Sequence, residues 1–146
     1  MAKGYPDFYG FSIFPRHGPT YQDLLWNHAV GAGDTDTIHE ITSKGRCVGG
    51  TMYLAPFGDW SEATVHYYID GVLISANATI EQLSVNYGEG FSELPFRLTV
   101  YCGNGGLVRI EYVKDLAWND SLIVTVWNAS AGNLWINSYF NYTNLE

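Results

Sequence analysis

The chain carries little charge. Of its 146 residues, 15% are Asp, Glu, Lys or Arg, and the acidic side chains outnumber the basic ones by 15 to 7. The resulting formal charge of −8 opposes attraction to a phosphate backbone, so nucleic acid is not an expected partner. A surface short of Lys and Glu also indicates that part of it is covered, either by further copies of the chain or by another protein. All-β domains are often charge-poor without a partner, so both interpretations stay open.

Long apolar runs are also lacking. No run approaches the roughly 18 apolar residues that a membrane-spanning helix needs, and the first residues hold no apolar segment typical of a signal peptide. We therefore expect neither membrane insertion nor export. Cysteine is scarce too: Cys47 and Cys102 lie far apart and outside any C-x-x-C spacing, which predicts neither a zinc site nor a redox motif. They are interpreted as two separate core thiols, and a bridge between them stays open.

Motifs of catalysis are missing from the sequence. It contains no G-x-S-x-G, no H-E-x-x-H, no phosphate-binding loop and no dinucleotide-binding fingerprint. His17, His28, His39 and His66 have no metal-ligand spacing, and only His39 with Glu40 or His66 hints at a cupin-like metal site. Two loops, 34–36 and 118–120, carry oxygen ligands suited to calcium, although solvated turns have the same composition. The sequence therefore predicts no enzyme, no metal and no cofactor, with a cupin-like enzyme as the remote alternative.

Strand patterns are present instead. Residues 64–69 alternate between two unlike faces, Asp70-Gly71 supplies a tight hairpin turn, and residues 72–74 return. Further strands are predicted at 35–43, 47–54, 96–102, 107–115, 121–129 and 134–143, with Gly49-Gly50 marking a bulge or a close backbone approach. Residues 20–26 fit either a turn of helix or a strand. One short helix is predicted from Thr79 to Tyr87, because Thr79 and Gln82 have the spacing of a capping box.

These elements predict an all-β fold. About eight strands in two groups, separated by one short helix, are typical of a two-sheet antiparallel sandwich of the jelly-roll kind. An immunoglobulin-like sandwich is the alternative, but no Trp lies centrally between the two cysteines. The domain is predicted to cover residues 20–146.

Residues 1–19 differ from the rest, since they hold three of the five prolines and a series of aromatic side chains. Proline disfavours a central strand, yet the segment is too aromatic for a solvated tail. An extended arm lying against its own domain or against a neighbouring subunit satisfies both observations. The candidate contact residues of this arm are Tyr5, Pro6, Phe8, Tyr9, Phe11 and Phe14.

Two tryptophans fall in predicted turns. Trp60 and Trp118, the latter followed by Asn119 and Asp120, are candidates for a sugar-stacking site. The competing interpretation, which we favour, is that both rings fold back to cover the end of the core. Two more rings, of Trp127 and Trp135, are assigned to the last hairpin as core or interface residues.

Several short motifs resemble those of small single-jelly-roll virion proteins of tailed phages, prophages and archaeal viruses. They are Gly4-Tyr5-Pro6-Asp7-Phe8, Ser43-Lys44-Gly45-Arg46, Gly49-Gly50-Thr51-Met52-Tyr53 and Tyr68-Ile69-Asp70-Gly71. The resemblance implies a non-enzymatic protein located in the virion, which decorates or joins parts of a particle as a homo-oligomer in contact with other virion proteins. It also implies that the arm serves attachment or subunit exchange. The richness in Trp and Tyr departs from this class and keeps a carbohydrate-binding or receptor-binding module as the alternative function.

Overall fold

A computed structural model of the chain describes residues 17–75, 78–87, 96–101 and 108–145. Within these ranges the fold consists of strands and two short helices, which confirms the all-β prediction. In chain order the elements are β1 (His17–Val30), β2 (Thr35–Ile41), β3 (Gly45–Ala55), α1 (Phe57–Trp60), β4 (Ala63–Ile69), β5 (Val72–Leu73), α2 (Ile80–Tyr87), β6 (Phe96–Tyr101), β7 (Val108–Tyr112), β8 (Ala117–Trp118), β9 (Leu122–Asn128) and β10 (Leu134–Leu145).

The strands form two antiparallel sheets. The larger sheet has the order β1-β10-β3-β7-β6, with β8 paired to β3, and the smaller one has the order β2-β9-β4-β5. The pairing is nested, since the first strand pairs with the last, the second with the ninth, the third with the seventh and the fourth with the fifth. Nested pairs divided between two facing sheets define a jelly roll, so the predicted sandwich is confirmed in this form.

The predicted hairpin joins β4 to β5. Asp70 and Gly71 have φ angles of 51° and 84°, both positive as a two-residue type I′ turn requires. The hairpin forms the outer edge of the smaller sheet, and Tyr68 and Ile69 pair with Leu73 and Val72. The prediction of a turn at this position is therefore confirmed.

Helix α2 begins with the predicted capping box. The Gln82 N–H donates to Thr79 Oγ1 over 3.1 Å, and the Thr79 N–H donates to Gln82 Oε1 over 2.9 Å. Two otherwise unpaired amides at the helix start are thereby satisfied. Ile80 and Leu83 are buried and fix the helix against the sandwich.

Gly50 lies where two strands approach closely. Its φ is 133°, and a Cβ at this position would collide with the carbonyl oxygen of Tyr139 and lie 3.1 Å from both Phe140 and the ring of Tyr112. The register between β3 and β10 shifts beside Gly49. Both parts of the prediction for the glycine pair, a bulge and a close backbone approach, are confirmed.

Three predictions need correction. Residues 20–26 belong to the long strand β1, so the helical alternative there is wrong. Residues 117–118, expected in a turn, form strand β8, which pairs with Gly45 and Arg46. The last two strands do not form a hairpin, because β9 lies in the smaller sheet and β10 in the larger. Strand β1 begins at His17, three residues before the predicted start of the domain.

Candidate interaction surface and the buried polar cluster beneath it

Large apolar side chains lie exposed on the outer face of the larger sheet. Leu24 and Trp26 on β1 are 57% and 65% exposed, and Trp135 on β10 is 50% exposed. Their orientation follows from the pleat: Ile136 and Ser138 point into the core, so the residues between and beside them point outward. We call Leu24, Trp26 and Trp135 the β1–β10 patch. Clustered exposed apolar residues of this size are typical of an interaction site.

Trp26 reaches the surface through a bulge. The register between β1 and β10 shifts between Leu25 and His28, which places Trp26 and Asn27 opposite Asn137. Asn27 has a φ of 53°, and its N–H donates to Asn137 Oδ1 over 2.5 Å. The bulge is therefore pinned by an amide side chain of the neighbouring strand, and the ring of Trp26 is held outward.

Polar groups lie on the same outer face of the larger sheet as the β1–β10 patch. The Gln22 side-chain amide donates to Asn141 Oδ1 over 3.0 Å, and the Arg109 guanidinium on β7 contacts Glu111 Oε2 at 3.2 Å. Apolar anchors with a rim of amides and charges are the usual composition of a protein interface.

The opposite sheet carries a second exposed group. Val72, Leu73 and Ile74 are 62%, 41% and 40% exposed at the outer edge beside β4, and we call them the β5 patch. Trp127 on β9 is also exposed, on the outer face of this sheet. Trp127 and Trp135 are predicted to lie in the core or at an interface. Because both rings are exposed, they are not core residues.

A polar cluster lies beneath the β1–β10 patch, between the sheets. His39 on β2 is 1% exposed, and its Nδ1 lies 2.6 Å from Asp23 Oδ2 on β1. Its Nε2 lies 2.6 Å from Ser138 Oγ on β10, and that oxygen lies 2.6 Å from the hydroxyl of Tyr112 on β7. The rings of Tyr112 and Phe140 pack against the imidazole, with centroids 5.7 and 5.5 Å away. Burial lowers the pKa of His39, while the hydrogen bond and the charge of Asp23 act in the opposite direction.

Asp23, His39 and Ser138 repeat the residue types of a serine-hydrolase triad. Ser138, however, is fully buried, and its hydroxyl is held between the imidazole and Tyr112. A nucleophile needs room for a substrate carbon about 3 Å from its oxygen, and here both hydrogen-bonding directions are taken by the protein itself. The cluster is therefore interpreted as structural. No local sequence pattern indicates this cluster, because its members lie on four different strands.

The cupin-like alternative is not supported by the geometry. His39 pairs with Val124 and His66 with Thr125, adjacent residues on β9, so the two imidazoles lie on opposite faces of the smaller sheet. Across the described ranges, no three His, Cys, Asp or Glu side chains cluster in an arrangement that holds a metal ion.

The two tryptophans proposed to stack on a sugar are buried. Trp60 is 0% and Trp118 2% exposed. The indole N–H of Trp118 donates to the Ser43 carbonyl over 2.5 Å, and its ring packs on Phe140 and Tyr142 at 6.0 and 6.3 Å between centroids. Neither ring presents a face to a ligand, so the stacking role is wrong for both and the core-covering interpretation applies.

Asn119 and Asp120, the polar partners in that sugar site, are exposed and organised by another residue. The Asp70 carboxylate accepts from the N–H groups of Asn119, Asp120 and Ser121, over 3.1, 2.6 and 3.1 Å to its Oδ1. Successive amides that converge in this way form an anion-binding concavity, which argues against calcium at loop 118–120. In the other predicted loop, 34–36, Asp36 lies on strand β2 and contacts His28 Nε2 at 2.7 Å.

The contact residues of the arm lie outside the described residues. They are Tyr5, Pro6, Phe8, Tyr9, Phe11 and Phe14. Cys102 lies outside as well, so its relation to Cys47 is untested, whereas Cys47 itself is buried. No helix in the described ranges has the length and apolar character needed to cross a bilayer.

Comparison of the chain with protein-family models and with curated proteins yields no match.

Proposed function

We propose that the chain is a non-enzymatic structural protein of a virus particle, which self-associates and attaches to neighbouring proteins through its outer sheet faces and its N-terminal arm. The observation that carries this proposal is the β1–β10 patch. Its three side chains lie on one face of the larger sheet, and each of them is at least half exposed. Full burial of a large apolar side chain is favoured by about 1.5–3 kcal/mol, so covering these partly buried side chains would contribute roughly half of that each before the cost of association.

Three further observations support the proposal. The charge-poor composition fits a surface that is covered in the assembled state. Viral capsid domains are among the proteins that use the jelly-roll fold, although the fold alone does not determine a function. The β5 patch offers a second contact on the opposite sheet, so one subunit can contact two neighbours.

The test is the native mass of the full-length chain, measured by native mass spectrometry over a range of concentrations. We expect an oligomer for the wild type and a shift towards monomer for the double variant Leu24→Ser/Trp26→Ser. Val72→Ser is the comparison variant: it removes an equally exposed apolar side chain from the β5 patch and shows how much that second contact contributes. Dissociation by Val72→Ser but not by the double variant would assign association to the β5 patch and overturn the use of the β1–β10 patch.

The arm is tested separately by deleting residues 1–16. This boundary keeps β1 whole, because β1 begins at His17. We expect the deletion to weaken association or attachment to the particle. A deletion variant with unchanged mass and unchanged incorporation into particles would exclude the arm from assembly.

Carbohydrate binding is the second candidate function. Its candidate contacts are exposed tryptophans, in place of the buried Trp60 and Trp118. The rings of Trp26 and Trp135 are exposed, and the amide of Asn137 lies on the same face. Exposed rings beside amide donors suit a neutral sugar chain. Tryptophan fluorescence during titration with neutral oligosaccharides tests this candidate: a saturable change that Trp135→Ala abolishes supports it, and no change for a monomeric chain excludes it.

A further inference from the structure

The buried cluster joins the two sheets through hydrogen bonds of fixed direction. An ionised carboxylate can only accept, so Asp23 requires a hydrogen on Nδ1 of His39. Neutral His39 then offers Nε2 as an acceptor, and the Ser138 hydroxyl donates to it. The Ser138 oxygen in turn accepts from the Tyr112 hydroxyl. In this arrangement each hydrogen-bonding group of the four side chains has a partner.

A second proton on the imidazole is incompatible with that arrangement. It must bind to Nε2, which faces Ser138 Oγ at 2.6 Å. Ser138 Oγ would then accept from His39 and can go on accepting from Tyr112 with its second lone pair. The Ser138 hydrogen, which was donated to Nε2, would lose that acceptor inside the core. A buried donor without an acceptor destabilises the folded state.

We propose that Asp23, His39, Ser138 and Tyr112 form an acid-sensitive latch between the two sheets: protonation of His39 reverses its hydrogen bonds and loosens β2 from β1 and β10. The latch joins one strand of the smaller sheet to three strands of the larger. Its opening would therefore separate the sheets along the edge of the sandwich where β1 and β2 lie.

Among the described residues, Asp23 is the charged group that faces the imidazole of His39. Phe140 on β10 and Val124 on β9 carry no charge. Tyr112 on β7 also faces the ring, and Tyr67 on β4 and Cys47 on β3 interact electrostatically with Tyr112. Burial raises the pKa of each of these three groups, so all of them stay uncharged between neutral and mildly acidic pH.

The pH range follows from the direction of the His39 shift. Burial holds the pKa of His39 below its ordinary value of 6.5, so the unfolded chain takes up the proton first as the pH falls. The contribution of His39 to the free energy of unfolding is fully present above that value and is lost progressively as the pH falls below it. Acid therefore destabilises the latch.

The first experiment follows the urea unfolding midpoint of the full-length chain from about pH 8 to about pH 5. We expect the wild-type midpoint to fall with acid and the fall to be smaller in His39→Gln, which stays neutral. His28→Gln is the matched control, since His28 also joins β1 to β2 through a carboxylate, Asp36, but is half-exposed. An equal fall in wild type and His39→Gln would overturn the proposal.

The second experiment does not depend on whether a His39 variant folds. Nitrogen NMR of histidine-labelled wild-type protein should find His39 with its hydrogen on Nδ1 and with a protonation midpoint below that of an exposed imidazole. Ser138→Ala removes the hydroxyl that holds Nε2 as an acceptor, so the midpoint of His39 should rise in this variant. A hydrogen on Nε2 at neutral pH, or an unchanged midpoint in Ser138→Ala, would contradict the latch.

Discussion

Asp70 connects the β4–β5 hairpin to the loop that precedes β9: its Oδ1 accepts from the N–H of Ser121 over 3.1 Å, as well as from the two residues before it. The same residue forms the hairpin turn, with a φ of 51°. The hydrogen bonds from the Asp120 and Ser121 amides lower the pKa of the Asp70 carboxyl. One side chain thus serves a local turn and a contact between segments about 50 residues apart.

The first prediction concerns this carboxylate. Asp70→Asn keeps a residue that tolerates positive φ but removes the charge that three amides recognise, so the variant should be less stable than wild type at neutral pH. Because the folded pKa is lowered, the advantage of the wild type exists above the ordinary value of 3.8 and disappears as the pH falls below it. Urea unfolding at neutral and at acidic pH measures the difference. Asp120→Asn removes an equal charge from the loop that Asp70 contacts. If both variants lose the same unfolding free energy, the effect is one of net charge.

The strands and turns of the sandwich could be predicted because each is a local pattern. Asp70-Gly71 needs only its own backbone to form a turn, and Thr79 needs only Gln82 to cap α2. Strand β1 could not be assigned because its two faces are mixed: Asp23 lies on the same side as the core-packed Leu25 and its side chain is 45% exposed, while Leu24 and Trp26 point outward. The Asp23 carboxylate is satisfied by His39, a partner on another strand that no local pattern specifies.

The candidate site could be predicted only in part for the same reason. Burial of Trp118 depends on the Ser43 carbonyl, 75 positions away, and on the small size of Gly45 beneath the ring. A turn tryptophan therefore looks like a surface residue in the sequence. The exposed rings lie instead on strands, where Trp135 was assigned to the core or an interface and Trp26 had no assigned role.

A second prediction tests the close approach at Gly50. Gly50→Ala should lose about 4 kcal/mol of unfolding free energy, because backbone strain at positive φ adds to a collision with Tyr139 and Phe140. Gly71→Ala is the matched control: it has a positive φ of 84° but no atom within 4 Å of the added Cβ, so about 1–2 kcal/mol is expected. Denaturant unfolding compares the two variants. Equal losses would mean that strain alone, without the collision, explains Gly50.

A third prediction concerns the start of α2. Thr79→Ala removes the oxygen that accepts from the Gln82 N–H and should lower the unfolding free energy by about 1 kcal/mol. Thr79→Ser keeps the hydroxyl and should behave like wild type. Thermal or urea unfolding distinguishes them. If the serine variant is as unstable as the alanine variant, the methyl group rather than the cap is responsible.

The fourth prediction concerns Cys47, which is 0% exposed. Burial raises its pKa to about 11 from an ordinary 9.0, while a hydrogen bond with the Gly49 backbone acts in the opposite direction. Since the thiolate is the reactive form, alkylation at about pH 8 should be about 100-fold slower in the folded chain than in the chain unfolded by urea, and slower still where access is restricted. The measurement uses Cys102→Ser, so that the remaining thiol reports on Cys47 alone. The rate should rise about tenfold per pH unit up to about pH 10. Rapid labelling of the folded chain at neutral pH would contradict a buried, protonated thiol at this position.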